Sequence, residues 1–472
     1  MKRRLNKVLS DTSNIPRSGR FWHPNIVMRR PTELHPNRRN VRVHSKKQRK
    51  KLDAAIDRFG FINPIIIDEQ CNILAGHLRY EVACVRKFKS IPTIQITHLN
   101  DAEKRAFALA ENRIALDAGW DLETLAVELG ELSVLLPEAQ IDFATTGFDI
   151  AEADIIIGDH AEQVEDSDDD PVQERGPQVS RLNDLWVMGK HRLLCADARS
   201  ASSYKALMRG AIATMAFTDP PYNVSISGHA RGRARVSFEE FSMASGEMSD
   251  HEFGAFLKGV LERLSAACAD GSIVYVCMDW RHIRQLLEVG ADVFSELKNI
   301  CVWVKSNGGQ GSFYRSQHEL VCVFKKGTAD HLNSFELGQH GRSRTNVWHY
   351  AGVNSFKAGR QDELNAHPTV KPIKLVADAM RDCSQRGSIV LDPFMGSGTT
   401  LLAGEKVGRY VYGMEIDPGY VDVAIRRWQR LTNREAVLEA TGETFDDVMA
   451  ARRVAGSSSR TLPDEKVQRR AR

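Results

Sequence analysis

The stretch GSIVLDPFMGSGTTLLAGEKVGRYVYGMEIDP, Gly387–Pro418, constrains this chain more than any other. An apolar run, Ser388–Leu391, ends in Asp392, and the turn Met395-Gly396-Ser397-Gly398 follows. Thr399-Thr400 can then cap a helix reaching about Val407, and Tyr410–Met414 is a second apolar run. Strand, glycine turn, helix, strand is the unit that holds a nucleotide-like cofactor at the carboxyl ends of parallel strands. Glycines there let the backbone approach a ligand that a Cβ would strike. Glu415, nineteen positions beyond Gly396, closes the second run, where a carboxylate can accept both hydroxyls of a ribose. The spacing is not a nicotinamide fingerprint, because Leu401 occupies the place of the third glycine. Nor is it a P-loop, since no Gly-Lys-Ser/Thr follows the turn.

A second peculiar stretch is Asp219-Pro220-Pro221-Tyr222, entered from the apolar run Ala211–Phe217. Two prolines remove two backbone donors and stiffen the turn, so Asp219 and the carbonyls are expected to stand outward, unpaired. The exocyclic amine of a nucleobase needs such acceptors, because its lone pair is delocalised into the ring. Accepting its hydrogens at Asp219 Oδ and the Pro220 carbonyl would draw the nitrogen toward a tetrahedral, attacking geometry. Tyr222 offers an aromatic face to a base flipped out of a duplex. Read alone, the segment is a strand-ending turn with a surface tyrosine. The glycine loop downstream is what moves the reading toward chemistry.

Asp392-Pro393-Phe394-Met395-Gly396-Ser397-Gly398-Thr399-Thr400 resembles the S-adenosylmethionine (SAM) loop of DNA amino-methyltransferases. From about Gln178 to Gln429 the chain resembles the class whose catalytic motif precedes its SAM motif. His367-Pro368-Thr369-Val370-Lys371-Pro372 matches that family's His-Pro-Thr-x-Lys-Pro, and Leu193-Leu194-Cys195-Ala196-Asp197 departs from its Leu-Leu-x-Gly-Asp only at Ala196. The resemblance implies an α/β, Rossmann-like sheet, SAM as cofactor, and methyl transfer to adenine N6 in duplex DNA. Asp-Pro-Pro-Tyr is the variant associated with adenine N6 and Ser-Pro-Pro-Tyr with cytosine N4, which stays as the alternative. The resemblance assigns Asp219, Pro220, Pro221 and Tyr222 to the target base. It assigns Asp197, Asp392, Phe394, Gly396, Gly398 and Thr399 to the cofactor, Glu415 to its ribose, and Thr369 with Lys371 to its methionine end. None of the eight cysteines sits in the Pro-Cys context that C5-cytosine enzymes use for covalent attack. No metal site is expected.

The remaining sequence suggests a second, smaller module. Residues 1–50 carry fifteen Lys/Arg against two acids, so 1–26 reads as a basic disordered arm suited to phosphate contact. Residues 27–147 read as an α+β module: a helix Ser45–Phe59 ending at Gly60, short strands Pro64–Asp68, Asn72–Leu74 and Ile91–Thr97, and helices Gly76–Phe88 and Asp101–Leu116. Gly76-His77-Leu78-Arg79 opening a helix has the ingredients of a phosphate site. The pattern resembles the ParB/sulfiredoxin-like N-terminal module, with Gly-His-Leu-Arg for Gly-Glu-Arg-Arg. Glu111-Asn112-Arg113 also sets its arginine one position early. That implies nucleotide binding through Gly76, His77, Arg79, Asn112 and Arg113, and leaves hydrolysis open. No helix-turn-helix is recognised after this module.

Residues 148–177 read as an acidic linker, since Asp149–Gly176 holds eleven acids against one arginine. The methyltransferase domain is expected over 178–435 and a partly disordered tail over 436–472. Within the domain, Arg231, Arg233 and Arg235 alternate with Gly and Ala, as a loop lying along DNA phosphates would. Residues 327–366 are the candidate for target-sequence recognition. No apolar stretch approaches the ~18 residues of a membrane span, and the scattered cysteines suit a cytoplasmic protein. Duplex DNA is the expected partner, with a nucleotide at the N-terminal module and a homodimer as further expectations. Two rival readings remain: a ParB-like binding protein with a degenerate methylase half, and an enzyme acting on RNA or a small molecule.

Overall fold

The computed structural model describes residues 25–37, 40–161, 176–224, 246–306, 308, 313–334, 344–350 and 371–458. The chain divides into two compact units, Met1–Asp149 and Ile150–Arg472. Residues 1–24 of the expected basic arm, the arginine-bearing loop, Thr369 and the extreme C-terminus lie outside the described residues, and the arm's last position, Ile26, already belongs to a strand.

The first unit is built on four strands: β1 (Ile26–Arg29), β2 (Ile65–Ile67), β3 (Ile73–Ala75) and β4 (Ile91–Gln95), in the order β1-β4-β2-β3. β2 and β4 run parallel and the outer pairs antiparallel. The fully buried Ile65, Ile67, Ile73 and Ile91 form the core, with Leu34 and Ala83. Local chemistry sets the boundaries. Ser45 accepts from the Gln48 amide to start the helix Lys46–Phe59, and Gly60 at φ +84° stops it. Asp68 Oδ1 receives the Gln70 and Asn72 amides, which makes the tight β2–β3 turn. The α+β expectation for this stretch matches the observed elements.

The second unit is organised by ten strands: β5 (Leu185–Met188), β6 (His191–Cys195), β7 (Ala213–Thr218), β8 (Cys268–Met278), β9 (Glu296–Val304), β10 (His318–Lys325), β11 (Val347–His349), β12 (Ile389–Asp392), β13 (Tyr410–Glu415) and β14 (Val437–Leu438). They form one sheet in the order β11-β9-β10-β8-β7-β12-β13-β6-β5-β14. Its centre, β8-β7-β12-β13-β6, is parallel throughout. Met215 and Phe217 of β7 pack with Val390 and Val411 in one buried layer, while Ala216 packs with Leu391 and Tyr412 in the other. Both faces of these strands are therefore buried, which is why each reads as an unbroken apolar run. The chain leaves β7 outward to β8 and leaves β12 in the opposite sense to β13, so the sheet switches direction between β7 and β12. Ligands of doubly wound sheets sit at such a switch, at the carboxyl ends.

Three expectations need correction. Ile150–Ala161, placed in the linker, is a helix. Its Asp154 is buried and salt-bridges Arg409 Nη2 at 2.6 Å and Arg386 Nε at 2.8 Å. Arg409, one of the largest fully buried side chains, also donates to the Ser384 carbonyl. Acidic composition hid this helix because one of its acids is a core ion-pair partner, not a solvated charge. The segment after 435, placed in a tail, continues the sheet: β14 pairs with β5, and the helix Phe445–Ser458 buries Phe445 against Trp186 at 5.2 Å between ring centroids. The helix Thr399–Val407 is preceded by Gly398 at φ +89° as its N-cap, with no side-chain cap from Thr399.

Replacing Asp154 by Ala leaves Arg409 buried without its carboxylate. We expect a loss of about 3–5 kcal/mol of stability in urea unfolding of the full chain. A linker residue would change it by less than about 0.5 kcal/mol.

Candidate active site

β7 delivers Asp219-Pro220-Pro221-Tyr222 to the carboxyl edge of the sheet, and β12 delivers Asp392 beside it, with Leu391 opposite Ala216. The turn after Tyr222 is closed by Asn223, in the left-handed region at φ +53°. Its Oδ1 accepts the Gly246 and Met248 amides and its Nδ2 donates to the Met248 carbonyl, pinning together the two ends of the segment that carries Arg231, Arg233 and Arg235.

Asp219 does not stand unpaired. Tyr222 donates its hydroxyl to Asp219 Oδ1 at 2.5 Å, and Lys371 Nζ donates to Oδ2 at 2.6 Å. The prolines withhold backbone donors, and a half-buried carboxylate then takes its partners from side chains. Lys371, expected at the methionine end of a cofactor, lies 2.9 Å from Glu319 Oε2 and 3.1 Å from the Tyr222 hydroxyl as well. It is brought there by Pro372, which N-caps the helix Ile373–Cys383. Lys305 bonds to Glu319 Oε1. Trp303, opposite Glu319 in the β9–β10 register, lies beneath Lys305 at 4.8 Å and Lys371 at 5.8 Å. Two carboxylates and two ammonium groups thus alternate around one phenol.

The charges decide the protonation states. Burial raises Asp219, and the Lys371 ammonium offsets only part of that rise. Burial acts on Glu319 in the same sense, but Lys371 and Lys305 outweigh it and hold its carboxyl down at about 2. Burial alone would lower Lys371; Asp219 and Glu319 reverse that and hold it above the usual ammonium range. The Tyr222 phenol is pushed up by burial and by the two carboxylates, so it is a donor at neutral pH. Lys305 and Trp303 were not singled out from sequence, and Glu319 stood out only within Gln317-His318-Glu319, which resembles the family's segment at this place and was expected to face DNA. The available signal was a Gln-His-Glu string at the head of an apolar strand, which one strand by itself cannot orient.

The glycine turn forms the other half. Gly396 adopts φ +52°, and a Cβ built there would meet only open space. Gly398 is different: a Cβ would come within 2.8 Å of Ala424 Cβ on the helix Pro418–Thr432, so that glycine serves packing. Glu415, at the end of β13, accepts the Gly396 amide on Oε2 and the Asp417 amide on Oε1, both at 2.9 Å, and burial raises its carboxyl. Asp392 accepts the Phe394 amide at 3.0 Å. Burial pushes it up to about 7, with the Thr400 hydroxyl and that amide opposing. Phe394 packs on Phe256 at 6.0 Å. Asp197, two residues beyond β6, is held below the usual carboxylate range by Arg199, which overcomes burial. Gly396, Gly398, Thr399, Asp392 and Glu415 are therefore assembled along adjacent strand ends, as the spacing anticipated.

In the first unit Gly76 adopts φ +99° at the start of the helix His77–Val85, and the Arg79 side chain folds back over it. Arg79 Nε is buried with no hydrogen-bond partner among the described residues. His77 Nε2 accepts the Asn37 amide at 3.3 Å, and Asn112 Oδ1 accepts from Arg42 at 2.9 Å. Arg113 is exposed and pairs with Asp117 on its own helix.

Comparison with known proteins matches three family models in chain order: ParB N-terminal domain over 23–113, ParB-methyltransferase HTH domain over 123–182, and DNA methylase over 213–426. The second overturns the reading that no helix-turn-helix follows the first module. Its stretch takes in the helix Leu122–Glu138 from Glu123 onward and the helix Ile150–Ala161, the second of which was read as acidic linker. Type II methyltransferase M.HinfI of Haemophilus influenzae is 25% identical over 46% of this chain and 62% of its own length. M.HpaI of Haemophilus parainfluenzae is 24% identical over 50% and 73%, and M.ScaI of Streptomyces caespitosus 38% identical over 18% and 29%. The chain thus spans less than two thirds of the length of M.ScaI and of M.HinfI. Among solved structures, an M1.HpyAVI–SAM complex (21% identity, TM-score 0.37) matches 50% of this chain and 97% of its own. The cytosine-N4-specific PvuII DNA methyltransferase (15% identity, TM-score 0.38) matches 59% and 94%.

The raised Asp392 carboxyl has a measurable consequence. Its contribution to stability is present below its unfolded value near 3.8 and is lost as pH rises through about 7. Asp392→Asn should therefore gain stability relative to the unmutated chain as pH rises from about 5 to about 7, by on the order of 1.4 kcal/mol for each pH unit. Urea unfolding at the two pH values reads the difference.

Proposed function

We propose that this chain, which carries a ParB-like module, a ParB-methyltransferase helix-turn-helix segment and a DNA methylase domain in that order, methylates the exocyclic N6 of a flipped adenine in duplex DNA with SAM as donor. One observation carries the reading: a carboxylate–tyrosine cluster at the end of β7 beside a glycine turn at the end of β12, on neighbouring parallel strands. The residues present fit the cofactor. Open space lies over Gly396, and beside it Glu415 is a half-buried carboxylate fixed by two backbone amides and able to take ribose hydroxyls. Phe394, Asp392 and Asp197 would line the same pocket. When bound, SAM supplies a methyl group made electrophilic by the sulfonium.

The chain's own work is to hold the amine. Asp219 and the Pro220 carbonyl accept its hydrogens, which localises its lone pair for attack. Tyr222 presents its ring to the base, and Lys371 anchors Asp219. Most of the acceleration then comes from preset acceptors and alignment. Adenine follows from aspartate at the head of the Pro-Pro-Tyr motif; cytosine N4 is the second reading, because the cluster holds nothing that only adenine would satisfy. Arg231, Arg233 and Arg235 are the proposed DNA contacts, as is the exposed aromatic pair Phe313 and Tyr314. Gly76, His77 and Arg79, whose Nε has no partner among the described residues, suit a nucleotide phosphate in the first unit.

Mass spectrometry of nucleosides from mixed-sequence duplex incubated with the protein and SAM should show N6-methyladenine; N4-methylcytosine instead would overturn the base assignment. Asp219→Ala should lower methylation by at least about 10²–10³-fold while SAM affinity, read by equilibrium dialysis, is unchanged. Lost SAM binding in a folded variant would refute this division of roles.

A further inference from the structure

A base that swings out of a duplex leaves a hole in the stack, and a hole left empty favours the base's return. Tyr222 is not placed to fill it. Its ring is half-buried beside Lys371, and its hydroxyl is bonded to Asp219. Filling the hole takes a second group that is flat, apolar, exposed and carried close to the pocket.

The β9–β10 hairpin carries one. β8 runs parallel to β7 and β10 antiparallel to β8, so the turn from β9 to β10 leaves the sheet at the edge that holds Asp219-Pro220-Pro221-Tyr222. Lys305 and Glu319, both members of the charged cluster, stand at its two feet. The feet are tied together: the Lys305 amide donates to the Gln317 carbonyl, and Gln317 Nε2 donates to the Lys305 carbonyl, both at 2.9 Å. Further out, Arg315 Nη2 donates to the Gly308 carbonyl at 3.0 Å. On this braced base sit Phe313 and Tyr314, 87% and 82% exposed, more than any other large apolar side chain among the described residues of the second unit. Their rings meet edge to face, with centroids 4.6 Å apart. Tyr314 is five residues from Glu319, a span of at most about 17 Å at ~3.3 Å per residue. Scattered apolar side chains on a surface need no explanation, but a braced aromatic pair beside a base pocket is not scattered.

We propose that Phe313 and Tyr314 form a wedge that enters the duplex at the target and takes the place of the flipped base, stacking on the bases left behind. An aromatic ring stacks on any base, so the wedge holds the duplex open without reading its sequence. The tied hairpin is ordered before it meets DNA, which lowers the cost of insertion. The inference rests on the base-flipping reading.

The test compares the full chain with a variant carrying Phe313→Ala and Tyr314→Ala together, on two duplexes bearing the sequence that the protein methylates in mixed-sequence DNA. In the first the target base is paired. In the second it faces an abasic position, so no pair has to be broken and no partner base remains for the wedge to support. The variant should lose about 10- to 100-fold in kcat/KM on the paired duplex and about threefold or less on the abasic one. Phe313→Tyr and Tyr314→Phe keep the rings and should stay within about threefold of the unmutated chain on both. SAM affinity, read by equilibrium dialysis, should not change. Equal losses on the two duplexes would overturn the wedge and make the pair an ordinary DNA contact. No loss on either would overturn it as well and assign the rings to a protein partner. Absence of methylation by the unmutated protein would overturn the function and this inference together, whereas methylation with equal losses, or with none, overturns this inference alone.

Discussion

The parallel pairing of β12 with β7 is the contact on which the second unit depends. Val390 lies opposite Met215 and Leu391 opposite Ala216, although a long stretch of chain separates the two strands. Such a pairing needs both faces covered, and the two buried side-chain layers supply that cover. Its consequence is chemical. The strands end level with one another, so a turn that leaves room for a ligand and a turn that presents a carboxylate come to adjoining places. Neither turn has an obvious use without the other.

Charge balance governs the cluster at that edge. Asp219 and Glu319 face Lys371 and Lys305, and isolated burial of any one of the four would be costly. Placed together they neutralise one another, and the same pairing fixes the geometry. Lys371 spans both carboxylates and therefore ties the helix Ile373–Cys383 to β7 and β10 at once. The aromatic rings of Tyr222 and Trp303 lie along its path, adding cation–π contact where water is excluded. A similar economy holds beneath the sheet, where Arg409 is buried against Asp154 from a segment that composition alone had marked as solvated.

Local signals in the sequence were reliable where local physics decides. Ser45 capping its helix, Gly60 ending it, Asp68 closing a turn, and apolar runs emptying into Asp219 and Asp392 all follow from backbone sterics and hydrogen-bond demand within a few residues. The boundaries erred where a distant partner overrode composition. The helix Ile150–Ala161 owes its place to Arg409 and Arg386, and the helix Phe445–Ser458 to Trp186. Nothing near those segments in the chain announces such partners.

The sequence by itself determined the kinds of elements present, the strand–glycine–helix–strand unit, the proline-stiffened aspartate turn and the carboxylate that closes β13. These depend on residue type at short range. Only the tertiary structure decided that Lys371 belongs to Asp219, that Glu319 completes the same cluster, and that Asp219 enters the site already paired. Those facts arise from which strand edges the sheet brings level, and side-chain charge then settles on the nearest opposite charge that burial allows. Such pairing is a property of the packed sheet and cannot be read from spacing along the chain.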